Sequence, residues 1–265
     1  MSSRSLRLLA LGLGFAFLYG PILWVVAFSF NEGRLVTLWS GFSTRWYGEL
    51  ADNERLLDAA GLSLVVAMIS ASLATMLGAL AGFALSRLGR FRGRGLLAGA
   101  LGAVLTLPEV ILGLALLLAF VSVDSWLDGP GRGAWTIVVA HTTLGMAYVT
   151  LVVRARLADF DRSLEEAALD LGATPPQVFL RVTLPLILPA LGGGWLIAFM
   201  LSLDDVVLAS FVAGPGATTL PMVVFSSARL GLNPQINALA TIMVGIGAFA
   251  VLVAVWLFGR QERRR

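Results

Sequence analysis

Residues 154–190, RARLADFDRSLEEAALDLGATPPQVFLRVTLPLILPA, separate two long apolar segments and carry more helix-boundary chemistry than a connector needs. Ser163 and Glu166 have the S-x-x-E spacing of a capping box, so a helix is predicted to start at Ser163. Ala167, Ala168, Leu169 and Leu171 continue it, and Gly172 is placed to end it, because glycine accepts the left-handed conformation of a helix C-terminus. Thr174 and Gln177 form a second box, with Pro175 at the favoured first helical position. Pro185 and Pro189 are expected to interrupt the chain before the next apolar segment. The reading is a short helix, a tight turn at Gly172 and a second helix. Such a unit suits docking: Ala167 and Ala168 let a partner approach the backbone, and Glu165, Glu166 and Asp170 offer charge to a basic rim. The plainer alternative is that Glu166 only caps and the alanines only favour helicity.

Outward from this loop the chain is apolar. Of 265 residues, 58% are hydrophobic and 13% charged, against about 45–50% and about 25% in soluble domains. That excludes an ordinary water-soluble globule and, by the opposite bias, disorder. Six stretches, at about 8–30, 61–85, 95–123, 134–153, 190–213 and 236–258, are each long enough to cross a hydrocarbon core of about 30 Å. The first follows Arg4 and Arg7 but is too long for a signal h-region and lacks a small-residue cleavage site, so it reads as an uncleaved helix. The chain reads as one all-α membrane domain over 1–265, with 154–189 as its longest inner loop.

All 19 basic residues are arginine. With no lysine there is no phosphate-binding loop of the nucleotide-hydrolase type. With no cysteine and one histidine, disulfides, thiolate sites and histidine-rich metal sites are excluded within this chain. Arg4, Arg7, Arg87, Arg90, Arg92, Arg94, Arg154, Arg156, Arg162, Arg181, Arg260, Arg263, Arg264 and Arg265 fall on one side of the six crossings. Arg34, Arg45, Arg55, Arg132 and Arg229 fall on the other. The positive-inside rule then places both termini in the cytoplasm, and the arginines read as topology determinants rather than a nucleic-acid surface. Trp39, Trp46 and Tyr47 in the outer loop 31–60 read as interfacial anchors. The outer connection 214–235 is punctuated by Gly and Pro around an apolar centre, which predicts a short re-entrant or interfacial helix at about 220–230.

Glu109, Asp204 and Asp205 lie inside apolar segments, and no arginine does. A carboxylate at mid-bilayer costs roughly 2.5–3.5 kcal/mol on insertion scales, so such residues mark polar pathways. Three membrane acids with no cationic partner from this chain inside the crossings point to a cationic cargo, such as a di- or polyammonium compound. Glu109 either lines that path or satisfies backbone groups freed at Pro108. Asp204 and Asp205 point about 100° apart on a helix, so one lines the path while the other bonds a neighbouring helix or caps a break. Tyr148 and Trp195 offer cation–π surfaces or serve packing. His141 reads as a hydrogen-bonding residue between helices, with gating as the alternative. Gly192, Gly193 and Gly194 read as a site of close packing or bending.

The run EAALDLGATPPQVFLRVTLP resembles the EAA signature of ABC-importer permeases: Glu166, Ala167, Ala168, Gly172, Val182, Leu184 and Pro185 fall at its spacing, with valine where isoleucine is usual. The segments 107–118 and 202–241 are similar to the spermidine/putrescine permeases, most of all to the putrescine-type second permeases. The resemblance implies a MetI-like fold with six transmembrane helices and a cytoplasmic coupling helix in the bacterial inner membrane. It implies ATPase coupling through Glu165, Glu166, Ala167, Ala168, Asp170, Gly172 and Pro185. It also implies a second permease subunit, two ATPase subunits that carry ATP and Mg, and a periplasmic polyamine-binding protein that meets 214–235. This chain itself would bind no cofactor and would not be an enzyme. The rivals are the same machine with ferric iron or another small solute, or an ion-coupled secondary transporter using Glu109 and the aspartates as relays.

Overall fold

The computed structural model describes residues 3–35, 38–127, 129, 131–230 and 234–262; Arg263, Arg264 and Arg265 of the inner tail lie outside them. Twelve α-helices follow in order: α1 (Ser3–Phe28), α2 (Arg45–Ala51), α3 (Glu54–Arg87), α4 (Arg94–Thr106), α5 (Glu109–Leu127), α6 (Ala134–Ala158), α7 (Ser163–Asp170), α8 (Pro175–Val178), α9 (Leu184–Asp204), α10 (Val207–Val212), α11 (Leu220–Leu230) and α12 (Pro234–Glu262). A π-turn, Phe179–Thr183, joins α8 to α9. Among the described residues, five segments are long and apolar enough to cross a membrane: Arg7–Phe28, Glu54–Arg87, Glu109–Trp126, Ala134–Ala158 and Pro175–Asp204. At 29 residues, α12 has the length of a sixth. The short helix expected at about 220–230 is α11.

The predicted crossing 95–123 is two helices. Leu107 is extended (φ −72°, ψ 139°) ahead of Pro108, because the proline ring disfavours the α conformation of the residue before it. The carbonyl of Pro108 then accepts from Ile111 and Leu112 at 2.9 and 3.2 Å and starts α5. Pro185 and Pro189, in contrast, do not interrupt the chain. Both lie in α9. The π-turn sits one turn ahead of Pro185, with Leu184 N–H donating to the Phe179 carbonyl five residues back. That widened turn gives room where the proline ring would otherwise crowd the preceding carbonyl.

Two compact units form, residues 1–58 with 224–265 and residues 59–223. In the first, α12 packs against α1 and α2. Gln235 accepts from Asn53 and donates to Glu49, each at 3.1 Å. The loop after α1 is organised by Asn31, which is 1% exposed. Its side chain donates to the Leu38 carbonyl (2.8 Å) and accepts from Ser40 N–H (2.8 Å). Trp46 is not an interfacial anchor: it is 3% exposed and its Nε1–H donates to the Asn31 carbonyl at 2.6 Å. Tyr47 likewise shares a 2.7 Å hydrogen bond with Ser29. Trp39, half-exposed, keeps the position an anchor needs.

The second unit is built round α6, which packs along α9 and against α4 and α10. Ala67, Ala71 and Ala74 of α3 are wholly buried. Further along the same helix, a Cβ at Gly78 would come within 2.7 Å of Val149, and one at Gly82 within 2.8 Å of Val153. In lipid no hydrophobic drive pulls helices together, so close backbone approach through small residues does the work. A Cβ at Gly194, within the predicted glycine run, would make only ordinary contact with Val149 at 3.4 Å. The close approach is therefore carried by Gly78, Gly82 and Gly145, where a Cβ would lie 2.9 Å from that of Ala74, rather than by the run.

Candidate functional site: a docking turn and a broken helix

The turn expected to serve docking starts at α7. Its first residue is Ser163, as expected, but the predicted Ser163–Glu166 box does not form. The carboxylate of Asp161 accepts from Ser163 N–H at 3.0 Å instead. Hydrogen bonds from the Ser163 backbone and hydroxyl hold the exposed Asp161 carboxyl below its ordinary range. Glu166 is thereby left free of capping duty and stands exposed with Ala167 and Asp170. At the other end, Gly172 adopts φ +84°. Its N–H donates to the Leu169 carbonyl (2.9 Å), and Ala173 N–H to that of Ala168 (3.1 Å). This is the paired hydrogen-bond pattern of a Schellman stop. Thr174 N–H donates to Gln177 Oε1 at 2.9 Å, the expected second box, and α8 begins at Pro175.

No residue of α7 is buried. Leu164, Leu169 and Leu171 are 50%, 44% and 89% exposed. An eight-residue helix that buries nothing gains little from its own packing, and such apolar exposure marks an interaction surface. Pro185, the last residue of the signature, is also exposed. Glu165 departs from the outward orientation expected of it. It turns in, pairs with Arg87 Nε at 2.8 Å and accepts from Thr183 Oγ1 at 2.8 Å.

The broken helix is the junction of α9 and α10. Asp204 ends α9 and is exposed; Asp205 is extended (φ −69°, ψ 126°) and 8% exposed. No proline or glycine stands at the break. The Asp205 carboxylate holds it by accepting from Leu208 N–H (3.2 Å) and Ala209 N–H (2.7 Å), which caps α10. The same carboxylate meets His141 Nε2 at 3.1 Å. His141 Nδ1 lies 2.6 Å from Ser202 Oγ, which in turn meets Ser70 Oγ at 3.1 Å. Asp205 is thus not an unpartnered acid: a buried imidazole and two backbone donors satisfy it. Of the predicted aspartate pair, Asp204 alone stays open to solvent.

Glu109 starts α5 on the C-terminal side of the Pro108 break and is exposed. Among the described residues, no hydrogen bond or ion pair joins it to either aspartate. Tyr148 packs against the cluster of Leu112, Leu144 and Leu208. Trp195 stacks on Phe199 (centroids 5.1 Å apart) and donates to Ser72 Oγ at 3.2 Å. The Ser70–Ser202 link was missed in the sequence, where lone serines in apolar helices carry no periodic signal. The described residues hold no cluster of three His, Cys, Asp or Glu that could bind a metal.

Comparison with known proteins decides the family. Residues 74–265 match the family described as "Binding-protein-dependent transport system inner membrane component". The chain belongs to this family. It is 53% identical over 260 residues to the putrescine transport system permease protein PotI of Escherichia coli K12, covering 98% of this chain and 92% of that one. It is 38% identical over 250 residues to the spermidine/putrescine permease protein PotC of the same strain, covering 94% and 92%. In fold it matches a chain of a bacterial ABC transporter involved in alginate import (TM-score 0.70, 17% identity, 98% of each chain covered). It also matches the inward-facing MetNI methionine ABC transporter (TM-score 0.60, 19% identity, 79% and 95% covered). The chain is an ABC-importer permease of the MetI-like fold and a multi-pass protein of the inner membrane.

Proposed function

We propose that this chain is the transmembrane subunit through which a polyamine, putrescine or also spermidine, enters the cytoplasm by alternating access. The observation that carries the reading is the 53% identity to a putrescine permease over 98% of the chain. The whole chain acts as one permease domain with both termini cytoplasmic, beside a second, similar permease subunit. Two cytoplasmic ATPase subunits supply ATP and Mg chemistry, and this chain contributes none of it. They grip the exposed face of α7 at Glu166, Ala167 and Asp170, positioned by the Gly172 stop. A periplasmic binding protein delivers cargo on the α11 side. The ammonium groups pass Glu109 and Asp204, with Tyr148 and Trp195 as aromatic neighbours of the route.

The geometry supports the assignment of Asp204 in a specific way. A helix that stops inside an apolar segment leaves its last carbonyls unpaired and its negative dipole end exposed. A carboxylate added at that point makes a cation site. Asp205 keeps the break in shape and leaves Asp204 to the cargo. The test is uptake of labelled putrescine and spermidine in cells that lack this gene, restored with wild type or with Glu166→Arg. Loss on deletion, rescue by wild type and failure of Glu166→Arg are expected. Unchanged uptake of both amines on deletion, with no redundant importer present, would remove the polyamine assignment.

A further inference from the structure

Glu165 lies beside the docking residues but faces the other way, and its partners form a closed figure. Its Oε2 pairs with Arg87 Nε at the end of α3 (2.8 Å), and the two side chains are 10% and 17% exposed. Its Oε1 accepts from Thr183 Oγ1 in the π-turn that leads into α9 (2.8 Å). Arg162, just ahead of α7, donates to the Ser86 carbonyl of α3 at 2.8 Å. The remaining side is closed by Phe83 of α3 and Phe179 of the π-turn, whose rings meet edge to face at 4.8 Å. Three elements are therefore tied pairwise: α3 to α7, α7 to the π-turn, and the π-turn to α3. A triangle of ties fixes its corners relative to one another, whereas a single tie leaves a hinge.

We propose that Glu165 is a positioning residue that clips the docking helix to the ends of two membrane helices at once, so that a push on α7 moves α3 and α9 together. The inference rests on the reading of α7 as the ATPase-docking element. Charge matters at this corner. Arg87 has no second carboxylate among its described partners, and it borders a cavity of about 550 Å³ that Arg154 and Arg162 also line. Taking away the Glu165 charge leaves Arg87 facing like charge, and the α3–α7 side of the triangle opens.

The experiment uses the whole importer, purified with its ATPase subunits and reconstituted in vesicles. It measures retained ATPase subunit, ATP hydrolysed and labelled putrescine imported. Glu165→Gln keeps an acceptor for Thr183 but sets an amide against Arg87. It is expected to retain the ATPase subunits while ATP spent per amine imported rises about 10-fold. The exchanged pair Arg87→Glu with Glu165→Arg is expected to recover most of the coupling, and Thr183→Val to give an intermediate loss. A cross-link in the double variant Phe83→Cys with Phe179→Cys, selective because the chain has no cysteine of its own, is expected to leave import intact, since those corners move as one. Wild-type coupling in Glu165→Gln, or arrest of import by the cross-link, would overturn the clip. Loss of the ATPase subunits from Glu165→Gln would also overturn it, by making Glu165 a docking residue. Glu166→Arg is the control for the docking reading: if it retains the subunits and imports normally, that reading fails, whatever Glu165→Gln does.

Discussion

Two pairs of neighbouring acids divide their labour in the same way. At Glu165–Glu166 and at Asp204–Asp205, one carboxylate turns into the protein and is fully engaged, while its neighbour stands exposed. The geometry differs. Glu165 and Glu166 sit within one helix, where successive side chains diverge by about 100°. Asp204 and Asp205 straddle a helix end, and the inward acid itself holds the end in place. The inward member in each pair shapes the site, and the outward member is left free to meet a partner or a cargo. Sequence adjacency thus hides opposite duties.

The contrast can be broken most decisively at Asp205. Asp205→Ala removes the cap of α10 and leaves His141 and two buried amides short of an acceptor. A loss of about 2–4 kcal/mol is expected, read as a lowered unfolding temperature of the purified complex together with lost uptake. Gly172→Trp strains a backbone at φ +84° by about 1–2 kcal/mol. The protein should remain in the membrane but import nothing, which a normal uptake assay would contradict. Asp204→Asn is the mirror of Asp205→Ala. Stability should stay within about 0.5 kcal/mol, as for exposed sites, while uptake falls about 10-fold from the loss of one charge-assisted contact. Equal losses of stability in the two aspartate variants would erase the distinction between them.

The smallest effect is expected at Asp161, whose carboxyl is held below the usual carboxylate range by Ser163. A depressed folded-state pKa stabilises above the unfolded pKa, and that contribution fades only as pH falls through the folded value. The start of α7 should therefore keep its amide protection from neutral pH down through mild acid, and lose it below the ordinary aspartate range. In Asp161→Ala, hydrogen exchange at Glu165 and Glu166 should be slightly faster already at neutral pH.

What was legible in the sequence is what local chemistry writes. The Gly172 stop, the Thr174–Gln177 box, Pro175 at the start of α8 and the apolar helix at 220–230 all follow from residue types at fixed spacing. The start of α7 falls where the sequence predicts it but for a different reason: Asp161, two residues upstream, takes the Ser163 backbone N–H that the capping box assigns to the Glu166 carboxylate. The role of Asp205 was legible only as one of two options, because choosing between the acids required knowing that His141 lies across from it. The inward turn of Glu165 depends on Arg87, 78 positions away in the chain, and no spacing rule reaches that far. The tight α3–α6 packing did leave a trace. Ala67, Ala71, Ala74, Gly78 and Gly82 recur at helical spacing along one face, a small-residue stripe more telling than the glycine run at 192–194.

The π-turn at Phe179–Thr183 has one more consequence. It stores a surplus residue in what is otherwise a continuous helix from Pro175 to Asp204, much as a dislocation stores an extra half-plane in a crystal. A helical wheel drawn straight through that stretch is out of phase by about 100° beyond Thr183. Deleting a single residue there would remove the bulge and leave α7 and α8 at the same angle about the helix axis, whereas the same deletion in a regular stretch of α9 would turn them by about 100°.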